Sequence, residues 1–196
     1  MSRRTSVALV CAMLAACSAI ALDAQQKDGP QYATGTNNLL RPSNYREWIF
    51  LSSSLGLNYP PPGAPAGPQQ FHNVYVNPSS YRSFMQTGKW PDRTVYILET
   101  RAVGAETTAN RDGRFQTALQ SLEANVKDSR FRDGWGYFIF NGRDTSAAPL
   151  AGDVVARCID CHTRHTAVER TFVQFYPTLL DVAKRMGTVK KDYTDP

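Results

Sequence analysis

The sequence predicts an α+β fold, a mainly antiparallel β-sheet with flanking α-helices, from three features. Short alternating apolar runs follow one another up to Gly142 with hairpin-length connections, the pattern of an antiparallel sheet. One helix-like stretch interrupts them. Beyond Gly142 the alternation gives way to alanine-rich sequence and 3.6-residue periodicity, which puts helices at the C-terminal end. At 196 residues the chain has the length of about one ordinary domain.

The elements follow in order. "MSRRTSVALVCAMLAACSAIALDAQQ" sets Arg3 and Arg4 before an apolar run and then small residues, so residues 1–24 read as a secretory signal too short to span a bilayer comfortably. "AIA" ending at Ala21 suits ordinary signal peptidase, whereas "LAAC" ending at Cys17 suits a lipoprotein box and a lipid anchor. Both place the mature protein outside the cytoplasm, in the periplasm. Residues 25–42, polar and without periodicity, read as a flexible leader, and 43–190 as the domain proper. "YREWIFLSSSLGL" predicts a helical turn running into a strand, and the proline-rich stretch 58–70 a loop. "FHNVYV" alternates as a strand. Asn77 then caps a helix with Pro78 first, Tyr81, Phe84 and Met85 on one face and Gly88 at its end. "TVYILETRAV", "RFQTALQSLEANVKD" and "GWGYFIFNG" supply three more strands. "TSAAPLAGDVVARCIDCH" turns helical near its end, and "YPTLLDVAKRMG" spaces Leu179, Val182, Ala183 and Met186 as the core face of a last helix.

The formal net charge is +5, or +4 once Arg3, Arg4 and Asp23 of the signal are set aside. The basic residues are scattered, with no aromatic-lined basic stripe, which argues against a nucleic-acid partner. No later segment is apolar enough to span a membrane. With Cys11 and Cys17 in the signal, the mature chain keeps Cys158 and Cys161, in "RCIDCHTRHT".

C-x-x-C-H is the attachment spacing of a c-type haem. Each thiol adds across one vinyl group, and the adjacent imidazole is delivered to the iron as an axial ligand. A disulfide is one alternative in an oxidising compartment. Zinc held by Cys158, Cys161 and His162 or His165 is another, although no second pair follows at finger spacing and His72 is the only other histidine. The motif lies in the last quarter of the chain, and Met186 reads as core, not as a sixth ligand. An iron ligated by His162 is then five-coordinate, and an open iron favours gas binding or catalysis over pure electron carriage.

"NYREWIF", "VYVNPSSYRSFMQTGKWPDRTVYILE", "EANVKDSRFRDGWGYFIF", and "CIDCH" followed by "FVQFYP" resemble the cytochrome P-460 family, which includes the cytochromes c prime-beta. The match runs from about Asn44 to Pro177. The resemblance implies an antiparallel sheet with flanking helices, one haem c bound through Cys158 and Cys161, His162 as proximal ligand, and a homodimer. The family's enzymes oxidise hydroxylamine with a lysine cross-linked to the porphyrin. Leu98 stands where that lysine is expected, and Lys89, in the turn "TGKWPD", reads as exposed. A leucine there implies an apolar distal pocket like that of the c prime-beta members, which bind nitric oxide. Tyr96 shares Leu98's face and lines the pocket or packs in the core. Glu99 faces the other way and is solvated or salt-bridged. His165 reads as exposed.

The expectation is therefore an exported c-type cytochrome with an open distal site for small nitrogenous ligands such as nitric oxide. The alternatives are a hydroxylamine-oxidising enzyme with an external redox partner, and an electron-transfer cytochrome.

Overall fold

The computed structural model describes residues 28–57, 67–105 and 112–194. The stretch read above as a signal, with Cys11 and Cys17, and most of the proline-rich stretch 58–70 lie outside the described residues. Among the described residues no helix is long and apolar enough to cross a membrane.

The body is a five-stranded sheet, β2 (Ile49–Leu55), β3 (Gln70–Val76), β4 (Thr94–Gly104), β5 (Phe115–Lys127) and β6 (Trp135–Phe140), each strand beside its sequence neighbour and every pairing antiparallel. A short pair, β1 (Leu39–Leu40) with β7 (Ser146–Ala147), lies apart from it. Helix α1 (Pro78–Thr87) joins β3 to β4, and α2 (Gly152–Arg164) and α3 (Pro177–Met186) follow the sheet. The α+β class and the strand segments are as the sequence predicts.

Alternation splits the sheet's apolar residues between two cores. Val95, Ile97, Leu122, Ala124, Val126, Phe138 and Phe140 point to one face, where Leu39, Tyr45, Trp48 and Ala147 cover them. Val76, Tyr96, Trp135 and Tyr137 point to the other, against Phe84 and Trp90 around α1, Val173 and Tyr176 before α3, and Leu179, Val182 and Ala183 on α3.

Three expectations change. Residues 25–42 are not a loose leader from Asp28 onward: Leu39 is fully buried, Tyr32 donates to Asp128 at 2.9 Å, and Arg93 donates to the Pro30 carbonyl at 2.8 Å. A few anchoring side chains in a polar segment leave no periodic signal, yet they cover sheet area that water would otherwise reach. Asn77 occupies the N-cap position but does not cap, because its Oδ1 accepts from the Val95 amide at 2.8 Å. The carboxylate of Asp28 caps instead, accepting from the Ser79 amide at 2.8 Å. Met186 is 47 % exposed, not core. It is the last residue of α3 and abuts Gly88, where a Cβ would lie 2.8 Å from its own, so it meets a glycine with no side chain to cover it.

Candidate functional site

Cys158, Cys161 and His162 lie on α2, three and four residues apart and so on one face. Asp153 in the first turn and Arg164 in the last suit the helix dipole. The face bearing Cys158, Cys161 and His162 lines a cavity of about 1090 Å³ whose opposite wall is the sheet. Strand register fixes the wall. Ser52, Val74, Leu98, Glu123 and Ile139 are successive cross-strand partners from β2 to β6, a single row across the cavity-facing surface. Tyr96, Asn125 and Tyr137 form the next row, and His72, Thr100 and Ser121 the row on the other side.

His162 is the most constrained side chain. Its Nδ1 lies 2.9 Å from the Arg170 carbonyl, and since a carbonyl only accepts, Nδ1 carries the proton and Nε2 keeps a free lone pair. Burial lowers its pKa, which keeps the ring neutral. Tyr137 and Phe172 meet the ring edge-on, with centroids at 5.1 and 4.8 Å. The Arg170 carbonyl is held from both sides. Glu169 accepts from Lys127 Nζ at 2.6 Å and from the Trp90 amide at 3.3 Å, and Thr171 Oγ1 accepts from Trp90 Nε1 at 3.0 Å. Glu169 sits at φ +50°, a left-handed conformation that this pairing holds in place.

Cys158 and Cys161 are half-buried free thiols, and burial raises both pKa values, so they are held protonated. The two thiols are not joined to each other. Among the described residues no three His, Cys, Asp or Glu side chains are grouped to hold a metal ion, so the zinc alternative lacks a donor set.

The sequence-derived wall residues come together with the motif: Leu98 and Tyr96 line the same cavity as Cys158, Cys161 and His162. Tyr96 also belongs to the core, its ring against Trp90 and Tyr176 with centroids at 5.1 and 6.4 Å, and burial raises its pKa well above the usual phenol range. Glu99 points to the other face, where its carboxylate accepts from Arg46 at 2.7 Å and Arg101 at 2.6 Å. Lys89 is exposed and away from the cavity, while His165, also exposed, stands at its rim.

Sequence reasoning missed Glu123. It sits beside Leu98 on the wall, and burial raises its pKa against the opposing hydrogen bond with Ser121. Alternation places it outward from Leu122 and Ala124, and the β4–β5 pairing register was the signal that joins it to Leu98. His72, which the sequence offers only as the one histidine outside the motif stretch, is on the wall too, and burial lowers its pKa.

The cavity fits a haem in three respects. Its lining is mostly apolar. Two thiols and one imidazole, its other nitrogen already bonded, share a single helix face, as thioether attachment and axial ligation require. Finally, the hydroxyl of Tyr137 and Nη1 of Arg170 are buried on the cavity lining without a well-formed hydrogen bond, and the acidic edge groups of a porphyrin would offer them acceptors. The family model described as Cytochrome P460 matches residues 42–173, a stretch that contains both walls of this cavity. A comparison with curated proteins found no match.

Proposed function

The chain belongs to the cytochrome P460 family, a cytochrome with a haem-binding role, and from that premise we propose that it is exported and carries one covalent haem c open to small nitrogenous ligands, chiefly nitric oxide. When bound, the haem supplies an iron that ligates small molecules and exchanges electrons with them. Cys158 and Cys161 would hold it through thioethers. His162 would ligate the iron through Nε2, its ring fixed by the Arg170 carbonyl. Arg170 and Tyr137 would offer donors to the acidic edge groups. The homodimer that the family resemblance implies belongs to the same proposal.

One observation supports an open site above the others. Among the described residues lining the cavity there is no lysine to cross-link the ring and no methionine to fill the sixth position, and Leu98 at the centre of the wall is flanked by Val74 on one side and Glu123 on the other. A visible spectrum of the mature protein, oxidised, reduced and with nitric oxide, tests the reading. The expected result is a high-spin five-coordinate ferrous form that nitric oxide converts. A low-spin spectrum that ignores nitric oxide defeats it in favour of an electron carrier, and colourless protein from cells with haem c maturation machinery defeats the haem itself.

Glu123 favours hydroxylamine oxidation as a second reading. Its carboxylate, whose pKa burial raises, gives the wall a base beside Leu98 that can take up a proton, and oxidation of hydroxylamine releases protons with its electrons. That reading needs an external electron acceptor.

A further inference from the structure

Beyond Leu98 the cavity continues into a second chamber of about 550 Å³ that shares Leu57, His72, Leu98 and Glu123 with the first. Thr100 and Ser121, cross-strand neighbours on β4 and β5, line it one row further out. At its outer end Nε2 of Gln70 on β3 donates to Oε1 of Gln120 on β5, spanning the intervening β4. Gln120 is exposed, whereas Thr100 is buried, so the chamber leads from solvent to the wall.

Its charge differs from that of the opposite flank. Among the described residues lining the chamber, Glu123 and His72 are the only ionisable ones, and no lysine or arginine is present. The helix side of the main cavity carries Arg157, Arg164 and Arg170 with Asp160. An anion in the chamber meets the Glu123 carboxylate with no fixed cation to offset it. An uncharged or cationic molecule meets amides and hydroxyls that satisfy its donors and acceptors.

We propose that this chamber is the path by which small uncharged or cationic molecules, of the nitric oxide or hydroxylamine kind, reach the wall at Leu98, and that Glu123 turns anions away from it. The inference rests on the haem reading above and names the side from which that site is reached. A path changes the barrier and not the end states, so obstructing it slows binding and release alike.

The probes are carbon monoxide and azide, followed by flash photolysis and stopped flow on the haem-loaded protein. Gln120→Trp fills the outer end from β5. It is expected to slow carbon monoxide association and dissociation by a common factor, on the order of fivefold or more, with Kd unchanged. Gln70→Trp obstructs the same end from β3 and gives the same result should the first variant fold poorly. Glu123→Gln, at mildly alkaline pH, is expected to raise the ratio of azide to carbon monoxide association rates on the order of threefold or more. Association within twofold of wild type in both tryptophan variants overturns the path, as does a change in Kd with unchanged association. An unmoved azide ratio overturns the charge filter. Wild-type protein without covalent haem defeats the haem reading instead, and its missing absorption distinguishes that failure from the others.

Discussion

Replacing Thr171 with valine tests whether the loop bearing the Arg170 carbonyl is clamped as the contacts imply. Thr171 is 5 % exposed, and its Oγ1 accepts from Trp90 Nε1 at 3.0 Å while donating to the Val168 carbonyl at 2.8 Å. Valine keeps the shape and removes the hydroxyl. The indole N–H is then left without an acceptor in a residue only 2 % exposed. A lost buried hydrogen bond costs about 1 kcal/mol and an orphaned buried donor about 1–3 kcal/mol, so Thr171→Val is expected to cost about 2–3 kcal/mol. At this chain length that is a fall in Tm of about 4–12 °C. Trp90→Phe in the same background orphans nothing further. The double variant is therefore expected to be more stable than the sum of the singles by about 1–2 kcal/mol, read from urea unfolding of all four proteins. The site has its own readout. Loosening the residue next to Arg170 weakens the hydrogen bond to His162 Nδ1, so in haem-loaded ferrous protein the iron–histidine stretch is expected to move to lower frequency. An additive cycle, within about 0.5 kcal/mol, together with an unmoved stretch, would refute the clamp.

Three further outcomes are expected. Cys158→Ser and Cys161→Ser each leave one thioether, shifting the pyridine haemochrome band to that of a singly attached haem, and the double variant yields protein whose haem extracts into acidic organic solvent; an unchanged band in either single variant contradicts the assignment. Glu99→Gln is expected to cost about 2 kcal/mol at neutral pH, since the carboxylate accepts from two guanidinium groups. Burial pushes the Glu99 pKa up, but the bonds from Arg46 and Arg101 outweigh it and hold the folded-state value below the usual one. Its contribution is thus present above the unfolded-state pKa and lost as pH falls through the folded-state value, so unfolding curves of Glu99→Gln and wild type should converge in acid. Leu98→Lys puts an amine on the wall next to Glu123, and it is expected to give a porphyrin cross-link with a red-shifted ferrous band when co-expressed with maturation machinery; an ordinary band would mean that position 98 does not face the ring edge.

The features legible in the sequence were those set by local periodicity and spacing. Strands and helices followed from alternation and 3.6-residue repeats, and the grouping of Cys158, Cys161 and His162 on one face follows from helix geometry alone. Glu99's direction, away from Leu98, was legible from the same alternation, whereas its burial and its pairing with Arg46 and Arg101 settle between the solvated and salt-bridged states the sequence left open. The parts that were not legible depend on which strand lies beside which, and in what register. Glu123 reads as the solvent side of an amphipathic strand until β4–β5 pairing sets it opposite Leu98, and His72 until β3–β4 pairing sets it opposite Thr100. Asp28 as a helix cap is a contact across 51 residues, for which Asn77 was the local decoy. Met186 kept the period of a core residue, but the helix ends there and the surface it meets is a glycine.

The register also reframes the choice between a gas-binding and a hydroxylamine-oxidising protein. A leucine in place of a lysine speaks only to the middle of the wall. Along a row of an antiparallel sheet each position comes from a different strand, so an apolar residue at Leu98 leaves its neighbours free to be polar. Here they are: Glu123 lies directly beside it and His72 one row away, burial raising the pKa of the carboxyl and lowering that of the imidazole. Nitric oxide needs neither group to bind, whereas a molecule that must lose protons can use both. The apolar centre and the acid–base flank therefore describe two different demands on one wall, and position 98 by itself does not decide between them.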